Sequence, residues 1–493
     1  MTLKILLGSL LVGLLVISGS RSVQAYVRLP ALVGDHMVLQ RDQPLPLWGW
    51  AAPAEHVTVR FQGRSYPAVA SGAGRWEMTL PATPSGGPFA MTITGQNTLT
   101  INDILIGDVW LASGQSNMEL PLRDPNAPKP GAYPLILNAE QEVAQADFLQ
   151  IRQFTVKKMS AATPQSELTG YSWQVCSPQT ARGFSAVAYF FARDLHQRYR
   201  VPVGIISSPW GGTPAEAWVS GVALQSLAAE PLTAGLAGQF PTPPLPAKDP
   251  QNTPAALFNG MIAPLIPYAL KGVIWYQGES NVGRAGQYRT LFPALIRDWR
   301  QRWGQELPFL FVQLANWQPA LPQPADSDWA RLREAQTAAL ALPRTGMAVA
   351  IDLGDAADIH PANKQDVGHR LALVARSVAY DDQQVVAAGP ALKKMQVQGS
   401  TVRLDFEQVG SGLVLQVERG VQKTPGGVRG FAVAGADKQF HWATGTLQDQ
   451  TLVLTSAEVP APVAVRYNWA DNPNGNLYNR EGLPAAPFRT DTW

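Results

Sequence analysis

The sequence predicts an α/β fold in which a parallel β-sheet is flanked by β-rich regions at both ends of the chain. Through the middle of the chain, apolar runs of strand length alternate with helical segments, which is typical of a parallel sheet covered by helices on both faces. Both ends instead carry short runs rich in β-branched and aromatic residues. We therefore expect a leader over 1–25, a sandwich-like β region over 26–100, an α/β domain over 101–384 and a second β region over 385–493.

The composition indicates a folded globular protein and gives no sign of a nucleic-acid-binding or membrane-binding protein. Of the 493 residues, 46% are apolar and 15% are charged, which is typical of a folded chain with a large core. The net charge is only +2 and no long basic run is present. Nucleic acid and anionic membrane surfaces are therefore not expected as partners.

The first 25 residues have the pattern of a signal peptide. "MTLK" supplies a positive charge, "ILLGSLLVGLLVIS" an apolar core, and Val23 and Ala25 a small-x-small cleavage pattern before Tyr26. The alternative is an uncleaved anchor, but the apolar run is shorter than the roughly 20 residues that span a bilayer comfortably. We expect an exported protein, periplasmic or secreted, with no membrane contact after cleavage.

The elements of the N-terminal and middle regions follow from local patterns. "HVTVRFQG" and "FAMTITG" predict strands of the first β region. Six apolar runs predict the strands of the parallel sheet: "ILIGDVWLAS", "FLQIRQFTV", "VPVGIISS", "LKGVIWYQ", "LPFLFVQL" and "TGMAVAIDLG". Helical periodicity marks three segments between or after them: "SAVAYFFARDLHQRYR", "LFPALIRDWRQRWG" and "NKQDVGHRLALVARSVAY".

Two further segments complete the organisation. The proline-rich stretch 239–254 is expected to be a surface excursion within the middle region rather than a domain boundary. After about residue 385, "MQVQGSTVRLDFEQ", "LVLQVER" and "VAVRYNWADNP" alternate like antiparallel strands.

The single cysteine, Cys176, has apolar neighbours, so we expect a buried, inert thiol and no disulfide.

Chemically useful residues follow four of the predicted strands. In an open α/β sheet, ligands bind beyond the carboxyl ends of the strands. The groups found there are a serine, a glycine pair, an amide with an acid, and a histidine with acids: Ser116, Gly211-Gly212, Gln277 with Glu279, and His360 with Asp355 and Asp358. These are the parts of a serine acyl-transfer site.

Each of these features also has a purely structural interpretation. Ser116 and Glu119 form the S-x-x-E pattern of a helix capping box. Gly211-Gly212 fits a tight turn, Gln277 fits an amide that ties down a loop, and His360 before a proline fits a packed helix start. Their common location at strand ends favours the catalytic interpretation.

Four motifs in order resemble one enzyme family. "GQSNM", "GGTPAEAW", "WYQGESN" and "DIHPANKQDVGHRLA" are similar to the sialate O-acetylesterase family of SGNH (GDSL-like) hydrolases. "LPALVGDHMVLQRDQPLPLWGWA" and "VRYNWADNPNGNLYNREGLPAAPFRTD" resemble the flanking segments of that family, so the resemblance covers most of the chain. It implies a flavodoxin-like, three-layer SGNH-hydrolase core.

The resemblance also implies roles for the residues. Ser116 is expected to be the nucleophile and His360 the general base. The oxyanion hole is expected to use the backbone N–H of Ser116 and of Gly212, with the side-chain amide of Gln277 as third donor. The family's aspartate position, three residues before the histidine, is occupied by Ala357.

The acid that orients the histidine therefore stays open. Asp358, two residues before His360, is the expected acid, because residues i and i+2 project to one side of an extended chain. Glu279 and Asp355 are alternatives, and so is a dyad in which a backbone carbonyl orients the ring.

The predicted function is an exported serine esterase that removes O-acetyl groups from carbohydrates through an acetyl-serine intermediate, and the resemblance implies a sialate 9-O-acetyl ester as the substrate. Its substrate partner is an O-acetylated sugar or oligosaccharide, and neither a metal nor an organic cofactor is expected. The alternatives are an acetyl xylan or hemicellulose esterase, a lipase-type esterase and a non-catalytic glycan-binding protein. The sequence leaves open the sugar, the oligomeric state and whether the β regions bind glycan.

Overall fold

The computed structural model describes residues 26–124, 136–168, 171–227, 230–237, 244–416 and 427–493. The expected signal peptide over 1–25 lies outside the described residues, as does part of the proline-rich segment 239–254.

The N-terminal region consists of two small sheets over a shared apolar core. Strands β2 and β5 pair antiparallel, while β3, β4, β6, β1 and the first half of β7 join a second sheet. Buried residues of both sheets belong to one cluster, as the sandwich-like expectation requires. The strands are β1 (Val38–Gln40), β2 (Leu45–Trp50), β3 (His56–Phe61), β4 (Arg64–Val69), β5 (Arg75–Leu80), β6 (Gly86–Thr94) and β7 (Thr98–Gly114).

Strand β7 joins this region to the middle of the molecule. Its first half pairs with β6 up to Ile106, and its second half, from Asp108 to Gly114, pairs with β10 in the parallel sheet. The chain therefore passes residue 101 within one continuous strand. The N-terminal and central regions share the same hydrophobic core.

The central sheet has the strand order β13-β12-β11-β7-β10-β8-β9. All six predicted strands are present and pair in parallel, which confirms the α/β prediction, and β9 is an antiparallel edge. The strands after β7 are β8 (Phe148–Thr155), β9 (Gln174–Cys176), β10 (Val203–Pro209), β11 (Gly272–Tyr276), β12 (Phe309–Gln313) and β13 (Thr345–Val349). Strands β10, β11 and β12 are entirely buried, because helices cover both faces of the sheet there.

The three predicted helices are α3, α6 and α8. Helix α6 begins at Ala285, six residues before the expected start at Leu291, because Tyr288 continues its buried face toward the N-terminus. It ends at Gly304, whose φ of +62° suits the left-handed cap position. The helices are α1 (Ser116–Glu119), α2 (Ala139–Ala144), α3 (Ala186–Tyr199), α4 (Gly221–Ser226), α5 (Ala234–Ala237), α6 (Ala285–Trp303), α7 (Asp328–Thr337) and α8 (Lys364–Ala379).

The C-terminal region is antiparallel β structure with its own apolar core, as expected. Its strands are β14 (Ala391–Gln398), β15 (Thr401–Glu407), β16 (Leu413–Leu415), β17 (Phe431–Ala434), β18 (Phe440–Trp442), β19 (Thr444–Gln448), β20 (Thr451–Thr455), β21 (Ala464–Tyr467), β22 (Leu477–Asn479) and β23 (Phe488–Arg489). In the described part of the chain, no helix is long and apolar enough to span a bilayer.

A buried arginine connects the C-terminal region to the central one. The guanidinium of Arg333 on α7 donates to the carbonyls of Leu314 and Ala315 after β12, at 2.8 and 2.7 Å. It also donates to the carbonyls of Ala470 and Asp471 in the C-terminal region, at 2.7 and 3.0 Å. The two regions therefore meet through a set of satisfied buried polar groups.

Candidate active site

The backbone forms a sharp turn at the end of β7. Gly114 has a φ of +134°, and a Cβ there would lie 2.1 Å from the carbonyl oxygen of Tyr276 on β11. The next residue, Gln115, donates its backbone N–H to that same carbonyl at 3.0 Å. Only glycine fits this close approach of two strands. The turn places Ser116 beyond the end of the sheet, as the first residue of α1.

The capping box expected from Ser116 and Glu119 does not form. Gln115 occupies the N-cap position, and no side chain caps the helix. Glu119 instead accepts the backbone N–H of Gly211 at 2.6 Å and pairs with Lys158. Helix α1 has only four residues, so its dipole is weak.

His360 connects Ser116 to Asp358. Its Nε2 lies 3.0 Å from Ser116 Oγ, and its Nδ1 lies 3.1 Å from Asp358 Oδ1. The same carboxylate oxygen accepts the backbone N–H of His360 at 2.9 Å, which fixes the turn between the two residues. With Nδ1–H donating to Asp358, Nε2 is left as the acceptor for the Ser116 hydroxyl.

The two alternative acids lie elsewhere. Asp355 is exposed, and its carboxylate accepts the backbone N–H of Ala357 at 2.8 Å. Glu279 accepts from the side-chain amide of Asn117 at 2.5 Å. Among the candidate acids, Asp358 is the one that the structure brings to the His360 ring.

The glycine pair lies beside the serine. A Cβ on Gly211 would lie 3.2 Å from Ser116 Cβ, so the Gly211 backbone packs directly against the serine. The Gly211 N–H is occupied by Glu119. Gly212 has a φ of +76° and open space where a Cβ would be, and its N–H donates to no other described residue. Of the two glycine N–H groups, that of Gly212 is therefore the one left for a ligand.

Gln277 differs from the expectation. It is fully buried, and its amide nitrogen donates to the carbonyl of Thr213 at 3.2 Å and to Asn281 Oδ1 at 2.7 Å. Asn281 is itself oriented by the backbone N–H of Ala215 and by Glu216, so the amide of Gln277 is held in this direction. Both of its N–H groups are used inside the protein, and Gln277 offers no free donor to an oxyanion here.

A buried polar cluster, not expected from the sequence, lies behind Ser116. The amide nitrogen of Asn117 donates to Glu279 Oε1 and, at 3.1 Å, to the carbonyl of Ile359. Its amide oxygen accepts from Lys364 Nζ. All three side chains stand in the recognised motifs, but no sequence pattern indicates that a lysine is buried there.

Burial and charge set the protonation of the site. Burial, and next the ammonium of Lys364, lower the pKa of His360 below its ordinary value, while Asp358 acts in the opposite direction. Burial lowers the pKa of Lys364 to about 7 and raises the pKa of Glu279. His360 is therefore held in the neutral form that a general base needs.

Three other residues, His369, Trp218 and Cys176, lie in structural positions. His369 pairs with Asp194 at 2.6 Å on an exposed surface, and Trp218 is completely buried in the core. Cys176 is buried, and burial raises the pKa of its thiol to about 12, as expected for an inert cysteine. Over the described ranges, no three His, Cys, Asp or Glu side chains are grouped so that they could hold a metal ion.

Comparisons with known proteins show that this chain is similar to carbohydrate esterases. The family described as "Carbohydrate esterase, sialic acid-specific acetylesterase" matches residues 106–376. Sialate O-acetylesterases from Pongo abelii and Homo sapiens are each 32% identical to this chain, over 96% of it and 94% of the relative. A carbohydrate acetylesterase from Xanthomonas citri has a solved structure with a TM-score of 0.84 and 43% identity, covering 95% of this chain and 100% of that one.

The turn before Ser116 yields a testable prediction. Gly114→Ala forces a Cβ onto the Tyr276 carbonyl at a φ that alanine disfavours, so we expect the free energy of unfolding to fall by at least about 2 kcal/mol. Urea unfolding measures this change. Gly63→Ala is the matched control, because Gly63 also has a positive φ but open space around it, and should cost only about 1 kcal/mol. Equal losses in the two variants would contradict the proposed steric clash.

Proposed function

The chain belongs to the sialic acid-specific acetylesterase family of carbohydrate esterases, and on that premise we propose that it removes O-acetyl groups from carbohydrates through an acetyl-serine intermediate. The observation that carries this proposal is the continuous hydrogen-bonded series from Ser116 through His360 to Asp358. Such a series is the arrangement that activates a serine for acyl transfer.

The first half of the reaction forms the acetyl-enzyme. Ser116 Oγ attacks the carbonyl carbon of the acetyl ester while His360 Nε2 takes the hydroxyl proton. The imidazolium that forms is stabilised by Asp358 at Nδ1. The bond between the acetyl carbon and the sugar oxygen then breaks, and His360 returns its proton to the departing sugar hydroxyl.

The second half releases acetate. A water molecule attacks the acetyl-serine while His360 takes its proton. The attack forms a tetrahedral intermediate. Its collapse breaks the bond between the acetyl carbon and Ser116 Oγ, and this oxygen receives the proton back from His360. Acetate leaves, and the enzyme returns to its starting state.

Two backbone N–H groups are proposed to stabilise the oxyanion in both halves. Ser116 lies in the first turn of α1, where backbone N–H groups have no intrahelical acceptor. Gly212 has a free N–H next to the glycine that packs on Ser116. Gln277 is proposed to support the same loop from behind, because it bonds Thr213 and Asn281.

The proposed substrate is an O-acetylated sialic acid. The family is described as sialic acid-specific, and the curated relatives, which match over nearly the full chain, are named sialate O-acetylesterases. The 43%-identical relative is described as a carbohydrate acetylesterase, which fits the same acetyl-ester chemistry.

The first test compares wild type with Ser116→Ala. We expect kcat for acetate release to fall by roughly 10³-fold or more, because the nucleophile is lost. A small acetyl ester reports the chemistry, and 9-O-acetylated sialic acid and acetylated xylo-oligosaccharides report the sugar. Sialate esters should give the higher kcat/KM.

The outcomes of this test separate the functions. Preference for acetylated xylan fragments would move the substrate assignment to hemicellulose and leave the mechanism intact. Activity that survives in Ser116→Ala would remove Ser116 as nucleophile. Absence of activity from a folded wild type on every ester would favour a glycan-binding protein.

A second test identifies the acid. Asp358→Asn keeps the shape but removes the charge that orients and stabilises the imidazolium, so we expect kcat to fall by roughly 10²–10⁴-fold. Asp355→Asn is the matched control, and its activity should stay close to that of wild type, because Asp355 bonds only a backbone N–H. Steady-state kinetics on a small acetyl ester measure both. A near-normal Asp358→Asn enzyme would reassign His360 to a dyad.

We also propose that the protein is exported and loses residues 1–25. The support is the signal-peptide pattern that ends at Ala25. Intact-mass analysis of protein recovered outside the cytoplasm should give a chain that begins at Tyr26. Ala25→Asp should block this cleavage, because a small residue is required before the cut. Recovery of the chain with Met1 retained outside the cytoplasm would contradict the cleavage.

A further inference from the structure

Lys364 is a fully buried lysine at the start of α8, four residues after His360. Its ammonium bonds the side-chain oxygen of Asn117, the neighbour of Ser116 in the chain. It also lies 5.5 Å from the centre of the Tyr276 ring, an arrangement that stabilises a cation. A buried lysine is costly, so its position beside the serine and the histidine calls for a physical account.

The surroundings of Lys364 are acidic but do not neutralise it by direct contact. The carboxylates that act on it are those of Glu279 and Asp358. Glu279 lies in the segment after β11, and Asp358 lies in the histidine loop, which is the segment between β13 and α8 that carries His360. Asn117 stands between Glu279 and Lys364 and bonds both. The second carboxylate oxygen of Glu279 is buried and has no partner among the described residues.

We propose that Lys364 is a positioning residue that acts through His360: its buried ammonium keeps the imidazole neutral at mildly acidic pH, so that the esterase retains an active base there. This inference rests on the proposed function, because it assigns His360 the role of base. It adds a residue and a regulation by pH that the Ser116–His360–Asp358 series alone does not contain.

The sign of the effect follows from the charges. A nearby positive charge disfavours a second one, so the Lys364 ammonium lowers the pKa of His360, and burial acts in the same direction. The pKa of Lys364 is about 7, whereas that of His360 lies below its ordinary value. The ammonium is therefore the prevailing form of Lys364 at the mildly acidic pH at which the proposal places its effect.

Asn117 also connects the helix that carries Ser116 to the segment that carries His360. Its amide bonds the carbonyl of Ile359, next to His360, while its backbone belongs to the helix that begins at Ser116. The Asn117 amide therefore connects the two sides of the reacting pair. Lys364 and Glu279 fix the two ends of that amide, since one bonds its oxygen and the other its nitrogen.

The test is the pH profile of kcat/KM for a small acetyl ester in wild type and Lys364→Met. The acid limb of this profile reports the pKa of the base in the free enzyme. Methionine keeps an unbranched side chain of nearly the same length as lysine and removes the ammonium charge. We expect the acid limb to move to higher pH by roughly half a unit or more, which lowers activity on that limb about threefold relative to the plateau.

Lys271→Met is the matched control. Lys271 is half-buried and also lies over an aromatic ring, Tyr380, at 4.6 Å, but it packs at the opposite end of the sheet beside Val109. Its replacement should leave the acid limb where wild type has it. An unshifted limb in a folded Lys364→Met enzyme, or an equal shift in Lys271→Met, would overturn the proposal.

A measurement on the wild type covers the case in which Lys364→Met does not fold. The six histidines can be titrated by NMR, and the His360 signal identified by its loss in His360→Asn. A pKa for His360 at or above the ordinary value of about 6.5 would overturn the proposal. Failure of the proposed function is distinguishable, because either Ser116→Ala would then keep the activity of wild type or a folded wild type would hydrolyse no ester, and the pKa of His360 would still be measured.

Discussion

The structure depends on one strand, β7, that is hydrogen-bonded into two sheets at once. Its first half is hydrogen-bonded to β6 in the N-terminal sheet, and its second half to β10 and β11 in the parallel sheet. A strand held on both sides has no freedom to shift its register, because a slip of one residue would exchange the side chains that pack on the two buried faces of the sheet. The position of Ser116, two residues after the strand, is therefore determined by the cores of both regions.

Much of this arrangement could be predicted from the sequence. The parallel strands were found because each is a continuous apolar run, and the strand-end rule then brought Ser116, Gly211-Gly212 and His360 to one edge of the sheet. The spacing of Asp358 and His360 predicted a contact on one side of the chain, and the two side chains do meet. The strand positions follow from backbone periodicity, whereas the contact between Asp358 and His360 forms through a turn and not through the extended alternation on which its prediction relied.

The remaining features depend on partners that are distant in sequence. The S-x-x-E pattern at Ser116 failed as a capping box because Glu119 is drawn away by the N–H of Gly211. Gln277 turned inward because Thr213 and Asn281 satisfy its amide. No local pattern reveals such competition, since each outcome depends on which of several hydrogen bonds the folded chain allows.

The buried charges behind the site explain why the parts outside the central sheet matter for chemistry. A fully buried lysine beside a half-buried glutamate is costly unless the geometry is rigid, because loose surroundings leave the charges unsatisfied. Rigidity of the histidine loop comes partly from the C-terminal region: Asn316 accepts the N–H of Gly354 at 2.6 Å and donates to Asn472 at 2.7 Å. A loop fixed at this point holds His360 against Ser116 while Lys364, at its other end, supplies the charge. The β-rich C-terminal region is thus part of the physical support of the site.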